Sequence, residues 1–553
     1  MKKFCLSGLR SSAVNNNIIS PAERFLQFVI IISLSIFVLW PVVSVLVQSF
    51  IYRGSFSLRA YKGLFTKNFA LVINSFALAL SVALVSVVIS TFIAVRLAYK
   101  DSPGNKIIIM LLALSSISPP FLCSMAYLML FGRRGLITWR LLGLEWNPYG
   151  FHGVLLMESA SVIGLTSLMI AASLRNIDGT LEEVSLNLGA SPLKTFMSVS
   201  LPLAMPGIFA ASLTAFMRSL SDFGTPLFVG GRFQVLASRA YNTLIGVGDF
   251  NTACAMNVLL VIPSLIIIFF RRTDSGLHNN SLTKKNALKL PDSLLLPASL
   301  TAWTFALLQV MIYGLIFLGS VTQTWGVDFT LTLKHLSAIA DFRTDSITRS
   351  LICSLTAALI SCILSLVIVC AVPSLGKVAG RIILLTSDIP YLIPGTFFGV
   401  GYLLAFTRLP FEVPAVVLIS SCCVFRQLSP VLNASRAGFS QINPDLIYSI
   451  KDLGGGAFHV LKDLLTPLLF PFLRVGFLNT FSASMTTTGA IIFLVSPYTR
   501  LAAIELFESI NEGDFGAASA MGSLLIIIAA GVNILAYKLT LKNIIKGSVY
   551  APS

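Results

Sequence analysis

Twelve apolar runs, each long enough to cross a bilayer, leave this chain few folds to choose from. A spanning helix needs about 20 mostly apolar residues. Runs of that kind lie at about 26–50, 70–95, 107–131, 153–174, 207–229 and 253–270. A second set lies at about 297–320, 350–373, 382–406, 413–433, 475–497 and 516–537. Of the 553 residues 56% are apolar and only 11% charged, which excludes a soluble enzyme and a disordered scaffold. Continuous runs, as opposed to alternating ones, also argue against a transmembrane β-barrel. The expected fold is an all-α polytopic membrane protein of about twelve helices.

Between the sixth and seventh runs lies a polar stretch from Arg271 through Lys284-Lys285 to Pro291. It divides the chain into residues 1–270, a cytoplasmic linker at 271–296, and residues 297–553. Lys and Arg are in excess on the segments that fall inside when both termini are cytoplasmic, as positive-inside topology requires. The net charge of +16 therefore marks topology and contact with membrane lipid, and no nucleic-acid partner is expected. Seven of the eight cysteines sit in apolar runs, where the thiol behaves as a small hydrophobe. His152, His278, His335 and His459 are far apart in sequence. Neither a metal site nor a bound cofactor is expected. There is no G-x-x-x-x-G-K-[ST] motif and no nucleophile–base arrangement, so the chain reads as non-catalytic.

The two halves repeat each other at an offset of 265 residues. Gly189 maps to Gly454, Pro202 to Pro467, Pro206 to Pro471, Gly224 to Gly489 and Asp249 to Asp514. Six spans per half is an even number, so both halves insert with the same orientation and a pathway between them follows.

The segment joining the fourth and fifth runs (about 175–206) reads Gly179-Thr-Leu-Glu-Glu183, then Gly189-Ala-Ser-Pro192, and ends at Leu201-Pro202. Acids in the first turn suit a helix dipole. Gly189 is placed to end that helix in the left-handed region. Ser191 can cap the next helix, with Pro192 at its first position. Two short helices joined by a glycine turn would project from the membrane face as a docking knob. This segment resembles the cytoplasmic signature of bacterial binding-protein-dependent ABC-transporter permeases, with Glu183 as its acid, Gly189 as its glycine and Leu201-Pro202 as its end. In the second copy (about 436–472) Gly454 and Pro467 match at the same spacing, while Tyr448 replaces the acid. The runs Leu220-Ser-Asp222-Phe223-Gly224-Thr-Pro226, Ser484 to Pro497, and Ile389-Pro390 with Ile393-Pro394-Gly395 resemble fused permeases of the ferric-iron uptake type.

That resemblance implies a type I ABC importer permease with two six-helix halves, whose coupling loops seat in a separate cytoplasmic ATP-binding subunit, a dimer. It also implies a periplasmic or other extracytoplasmic solute-binding protein that delivers cargo, and an inner-membrane location. Ferric iron is the cargo implied; permeases for thiamine, polyamines or phosphonates share the architecture. An ion-gradient-driven secondary transporter would also use two repeats and broken helices, but leaves the coupling-loop spacing unexplained.

Ionisable residues inside spans are functional candidates by default. Here they are Glu158, Arg218, Asp222, Asp388 and Arg426. Arg218 and Asp222, four residues apart, are expected on one helix face, where they could neutralise each other. Asp388 precedes Pro390 and Pro394-Gly395, which are expected to break the ninth helix and expose its carbonyls to a cavity. Pro119-Pro120 is the expected counterpart in the third span. The acidic outer loop at 498–514 carries Glu505, Glu508, Glu512 and Asp514, with Arg500 opposing.

Overall fold

The computed structural model describes residues 21–119, 121–132, 135–144, 147–270 and 288–547. Eight helices in it are unbroken and apolar enough to span, and three bent pairs bring the count among the described residues to eleven. The run at 253–270 forms the further helix Phe250–Phe270. All twelve sequence runs thus become helices, but not all in the expected frame. The fifth span is Pro192–Ser221 and the eleventh Val460–Thr486, each ending well before the expected 229 and 497. The displaced residues form a short helix, Gly224–Val229, in one half and a set of turns in the other. Of the linker, 271–287 lies outside the described residues, and its last part is helical, because the seventh span starts at Asp292.

Matched residues hold matched local structure. Each first span is followed by a two-stranded antiparallel hairpin, Ile51–Tyr52 with Ser55–Phe56 and Thr322–Thr324 with Asp328–Leu331. A short helix comes next in each case, Arg59–Thr66 and Lys334–Phe342. Asp249 and Asp514 each accept from the backbone N–H three residues on, at 3.1 and 3.0 Å, capping the last span of their half. Pro202 and Pro467 each follow a π-helical stretch, Phe196–Ser200 and Val460–Leu465. Proline has no N–H and its ring crowds the carbonyl four residues back, so the helix widens ahead of it.

The spans pack through small and hydroxyl residues, as helices in lipid must when no hydrophobic drive separates them from solvent. Ser90 on the second span meets Thr166 on the fourth at 2.6 Å, and Ser365 on the eighth donates to Ser435 on the tenth at 2.7 Å. These are equivalent bridges in the two halves. The first spans are exchanged: Arg24–Ser49 packs on the eighth and ninth spans, and Asp292–Ser320 packs on the second and third. Phe37 stacks on Phe425 with centroids 5.0 Å apart, and Tyr313 shares a hydrogen bond with Ser118 at 3.0 Å. Each half is therefore clasped by the other.

Candidate functional site

At one end of the bundle the segment expected to form the coupling loop begins with Asp178, whose carboxylate accepts from Thr180 N at 3.0 Å and caps helix Gly179–Asn187. The helix stops at Gly189, which holds φ +86°. Ser191 then caps Pro192–Thr195, accepting from Lys194 N. The expected turn is therefore present, although the second short helix runs on into the fifth span without a break. Gly454 holds φ +83° at the equivalent place, after helix Pro444–Asp452. No neighbour lies within 4 Å of a Cβ built on either glycine, so backbone conformation alone demands glycine there. The leucines just before them, Leu188 and Leu453, are 82% and 88% exposed. Pro202 and Pro467 are exposed at the starts of helices Leu201–Ser221 and Thr466–Thr486, and Leu201 is half-buried.

The motif acid, Glu183, is half-buried, but the residue that anchors the knob is its neighbour. Glu182 is fully buried, and its Oε1 accepts from Tyr99 Oη at 2.8 Å and from Ser200 Oγ at 2.7 Å. Sequence reading missed it; the only available signal was that Glu182 shares a helix face with Leu186, four residues on.

Deeper in the bundle the five intramembrane ionisable residues separate into distinct roles. Glu158 is buried on the fourth span, where Ser219 on the fifth donates to its Oε2 and its Oε1 has no hydrogen-bond partner. The expected Arg218–Asp222 pair does not form. The fifth helix ends at Ser221, so Asp222 leaves the helical face and its Oδ1 accepts from Gly224 N at 2.9 Å and Thr225 N at 3.1 Å. Arg218 is exposed and makes no ion pair among the described residues.

In the second half the ninth span is broken as expected, bent by 108° between Leu392 and Gly395. Two carbonyls at the break are met by a side chain: Arg426 Nη1 donates to Pro390 O at 3.0 Å and Ile393 O at 3.2 Å. Arg426 itself ends helix Ala415–Arg426, where the tenth span bends by 40°. Ser429 donates to Asp388 Oδ1 on the same broken helix. Pro394 caps helix Gly395–Phe406, and a Cβ on Gly395 would stand 3.1 Å from Ala490 N and 3.3 Å from Arg426 Nη2. The third span is bent by 102° near Pro119; Pro120 lies outside the described residues.

Between the halves an aromatic cluster fills the space next to both breaks. Phe507 from the second half packs against Phe228 at 5.0 Å, Phe223 at 5.5 Å, Phe121 at 5.9 Å and Tyr241 at 6.0 Å, all from the first. Gly489 lies against the Phe223 ring, which a Cβ there would approach to 3.2 Å.

The segment 498–514, expected as an acidic loop, is largely helical. It contains helix Ala502–Glu512, and Arg343 joins Arg500 in opposing its acids. Arg343 pairs with Glu505 at 3.3 Å and Arg500 with Glu508 at 2.8 Å, around a cavity of about 220 Å³. Asp514 is spent on its capping role. Among the described residues no group of three or more His, Cys, Asp or Glu side chains is placed to hold a metal ion.

Residues 86–273 match the family described as binding-protein-dependent transport system inner membrane component. Over 525 residues the chain is 27% identical to the ferric transport system permease protein FbpB of Actinobacillus pleuropneumoniae, covering 91% of this chain and 76% of that protein. It is 29% identical over 199 residues to the molybdenum transport system permease protein ModB of Haemophilus influenzae (35% of this chain, 86% of the relative). With ModB of Escherichia coli the identity is 30% over 176 residues, covering 30% of this chain and 76% of the relative.

Proposed function

The chain belongs to the binding-protein-dependent transport system inner membrane components and is a permease of an ABC importer; from that premise we propose that its cargo is ferric iron. The single observation carrying the iron reading is the reach of the similarity. A ferric permease aligns with 91% of the chain, through both halves, whereas the molybdenum permeases align with about a third.

The mechanism follows from the two ends of the molecule. A cytoplasmic ATP-binding subunit, acting as a dimer, seats on the two knobs at Leu188-Gly189 and Leu453-Gly454. Glu183 and the exposed leucines form the contact, and both chain termini lie on that side. Movement of the knobs is passed to the fifth and eleventh spans, which lead without interruption from the loops to Ser221 and Thr486. Those span ends adjoin the aromatic cluster around Phe507, so rotation of the halves parts the rings and opens the pathway. Glu158, Arg218, Asp222 and Asp388 are the polar groups beside it, while Arg426, Pro394 and Gly395 maintain the break that shapes it. No step of ATP chemistry occurs on this chain. Iron selection rests on an extracytoplasmic binding protein.

The test is uptake of radioactive ferric iron into liposomes holding the chain with its ATP-binding subunit and its iron-loaded binding protein. ATP-dependent accumulation of iron, with none of molybdate, thiamine or a phosphonate, is the expected result. Uptake by the chain alone, driven by an ion gradient, would overturn the reading.

A further inference from the structure

Arg96 lies in the last turn of the second span and is only 3% exposed. Its Nε is buried without a hydrogen-bond partner, and no carboxylate pairs with it among the described residues. A buried, unpaired guanidinium is costly and marks a place for an anion. Two features shape that place. The guanidinium lies over the Trp303 ring of the seventh span, 5.5 Å from its centroid. It also stands at the start of helix Gly104–Ile117, where a Cβ on Gly104 would be 3.5 Å from Arg96 Nη2 and 2.7 Å from the Trp303 ring. The notch therefore combines a guanidinium, the positive end of a 14-residue helix and an indole face.

The surroundings select the source of the anion. Trp303 is 43% exposed and belongs to a stripe along the seventh span with Leu300, Leu307 and Val310, which are 67%, 70% and 53% exposed. Ile107, one turn beyond Gly104, is 50% exposed. These residues turn apolar surface outward on membrane-spanning helices, where it meets acyl chains. Tryptophan at such a level is an interfacial anchor, and arginine beside it reaches for headgroups.

We propose that the Arg96–Gly104–Trp303 notch binds the phosphate of an anionic membrane phospholipid whose acyl chain lies along the Trp303 stripe. Arg96 is one turn from Tyr99, which holds the coupling loop through Glu182. A lipid there braces the helix end that carries the knob.

The experiment titrates the full-length purified chain in detergent with dioleoyl-phosphatidylglycerol and counts bound lipid by native mass spectrometry. Wild type binds one tight copy. Arg96→Gln loses charge-assisted hydrogen bonds and binds it about tenfold more weakly. Gly104→Ala leaves the guanidinium in place but closes the notch against Trp303, and weakens the same copy. It serves as the readout should Arg96→Gln fail to fold. Inorganic phosphate at millimolar concentration leaves the bound lipid in place. Unchanged lipid affinity in the variants would overturn the site, and displacement by inorganic phosphate would overturn its assignment to a lipid.

Discussion

The hydroxyl of Tyr99, the last residue of the second span, donates to Glu182 Oε1 at 2.8 Å. That bond ties a membrane helix to the loop proposed above as the docking knob for the ATP-binding subunit. Ser200, on the stretch entering the fifth span, donates to the same oxygen. A single buried carboxylate thus fixes the knob's position relative to two spans.

Tyr99→Phe removes one donor and is expected to cost about 1 kcal/mol. Glu182→Ala leaves the buried Ser200 hydroxyl and the half-buried Tyr99 hydroxyl without their acceptor and costs about 2–3 kcal/mol. Both chains insert, but hydrogen exchange across 178–195 rises and ATP-driven uptake falls, more for the alanine variant. Unchanged exchange in Glu182→Ala would remove the anchoring role.

Gly189→Ala meets no steric neighbour, so its cost is the left-handed backbone alone, about 1–2 kcal/mol. Gly189→Val is worse, because β-branching adds to the strain, while Gly189→Asn is tolerated. Leu188→Asp should leave thermal stability unchanged, the side chain being exposed, yet abolish co-purification of the ATP-binding subunit. Retained co-purification would move the docking surface elsewhere.

Arg426→Ala strips two carbonyls of their donor at the break in the ninth span. The expected loss is about 2 kcal/mol in detergent-solubilised protein, read as a lower thermal midpoint. Arg426→Lys recovers part of it, since an ammonium can reach one carbonyl at a time.

Outside the spans, burial pushes the Glu505 carboxyl above its ordinary value of 4.5, and the Arg343 guanidinium beside it offsets only part of that. The folded chain therefore holds this proton more readily than the unfolded one. The resulting stability is fully present below about 4.5 and is lost as pH rises through the raised value. Glu505→Gln is expected to flatten that stretch of the stability–pH curve and to be no less stable than wild type at neutral pH. Arg343→Ala raises the carboxyl further and destabilises at neutral pH. Thermal unfolding followed across that range checks both.

Phe507→Ala opens a gap in the aromatic cluster between the halves, where the ring is 2% exposed. Loss of its aromatic contacts costs about 3–5 kcal/mol at a well-packed site. The expected phenotype is ATP hydrolysis uncoupled from uptake, with raised passive leak in vesicles.

Local chemistry was written plainly in the chain. Apolar runs set the helices, since a buried backbone in lipid has no other partner for its N–H and C=O groups. The 265-residue offset exposed the repeat, and Gly189 and Ser191 announced the coupling turn because a left-handed residue and a cap depend on only a few neighbours. Tertiary structure decided the rest. It chose Glu182 over Glu183 as the anchor, because only packing against Tyr99 and Ser200 distinguishes two adjacent acids. It separated Arg218 from Asp222 by ending a helix one residue before the aspartate. It brought Arg426 back across more than thirty residues to the carbonyls of Pro390 and Ile393 at the break, and it exchanged the first spans between the halves. Each of these depends on groups distant in sequence, whose meeting is set by helix packing and not by any pattern within one run.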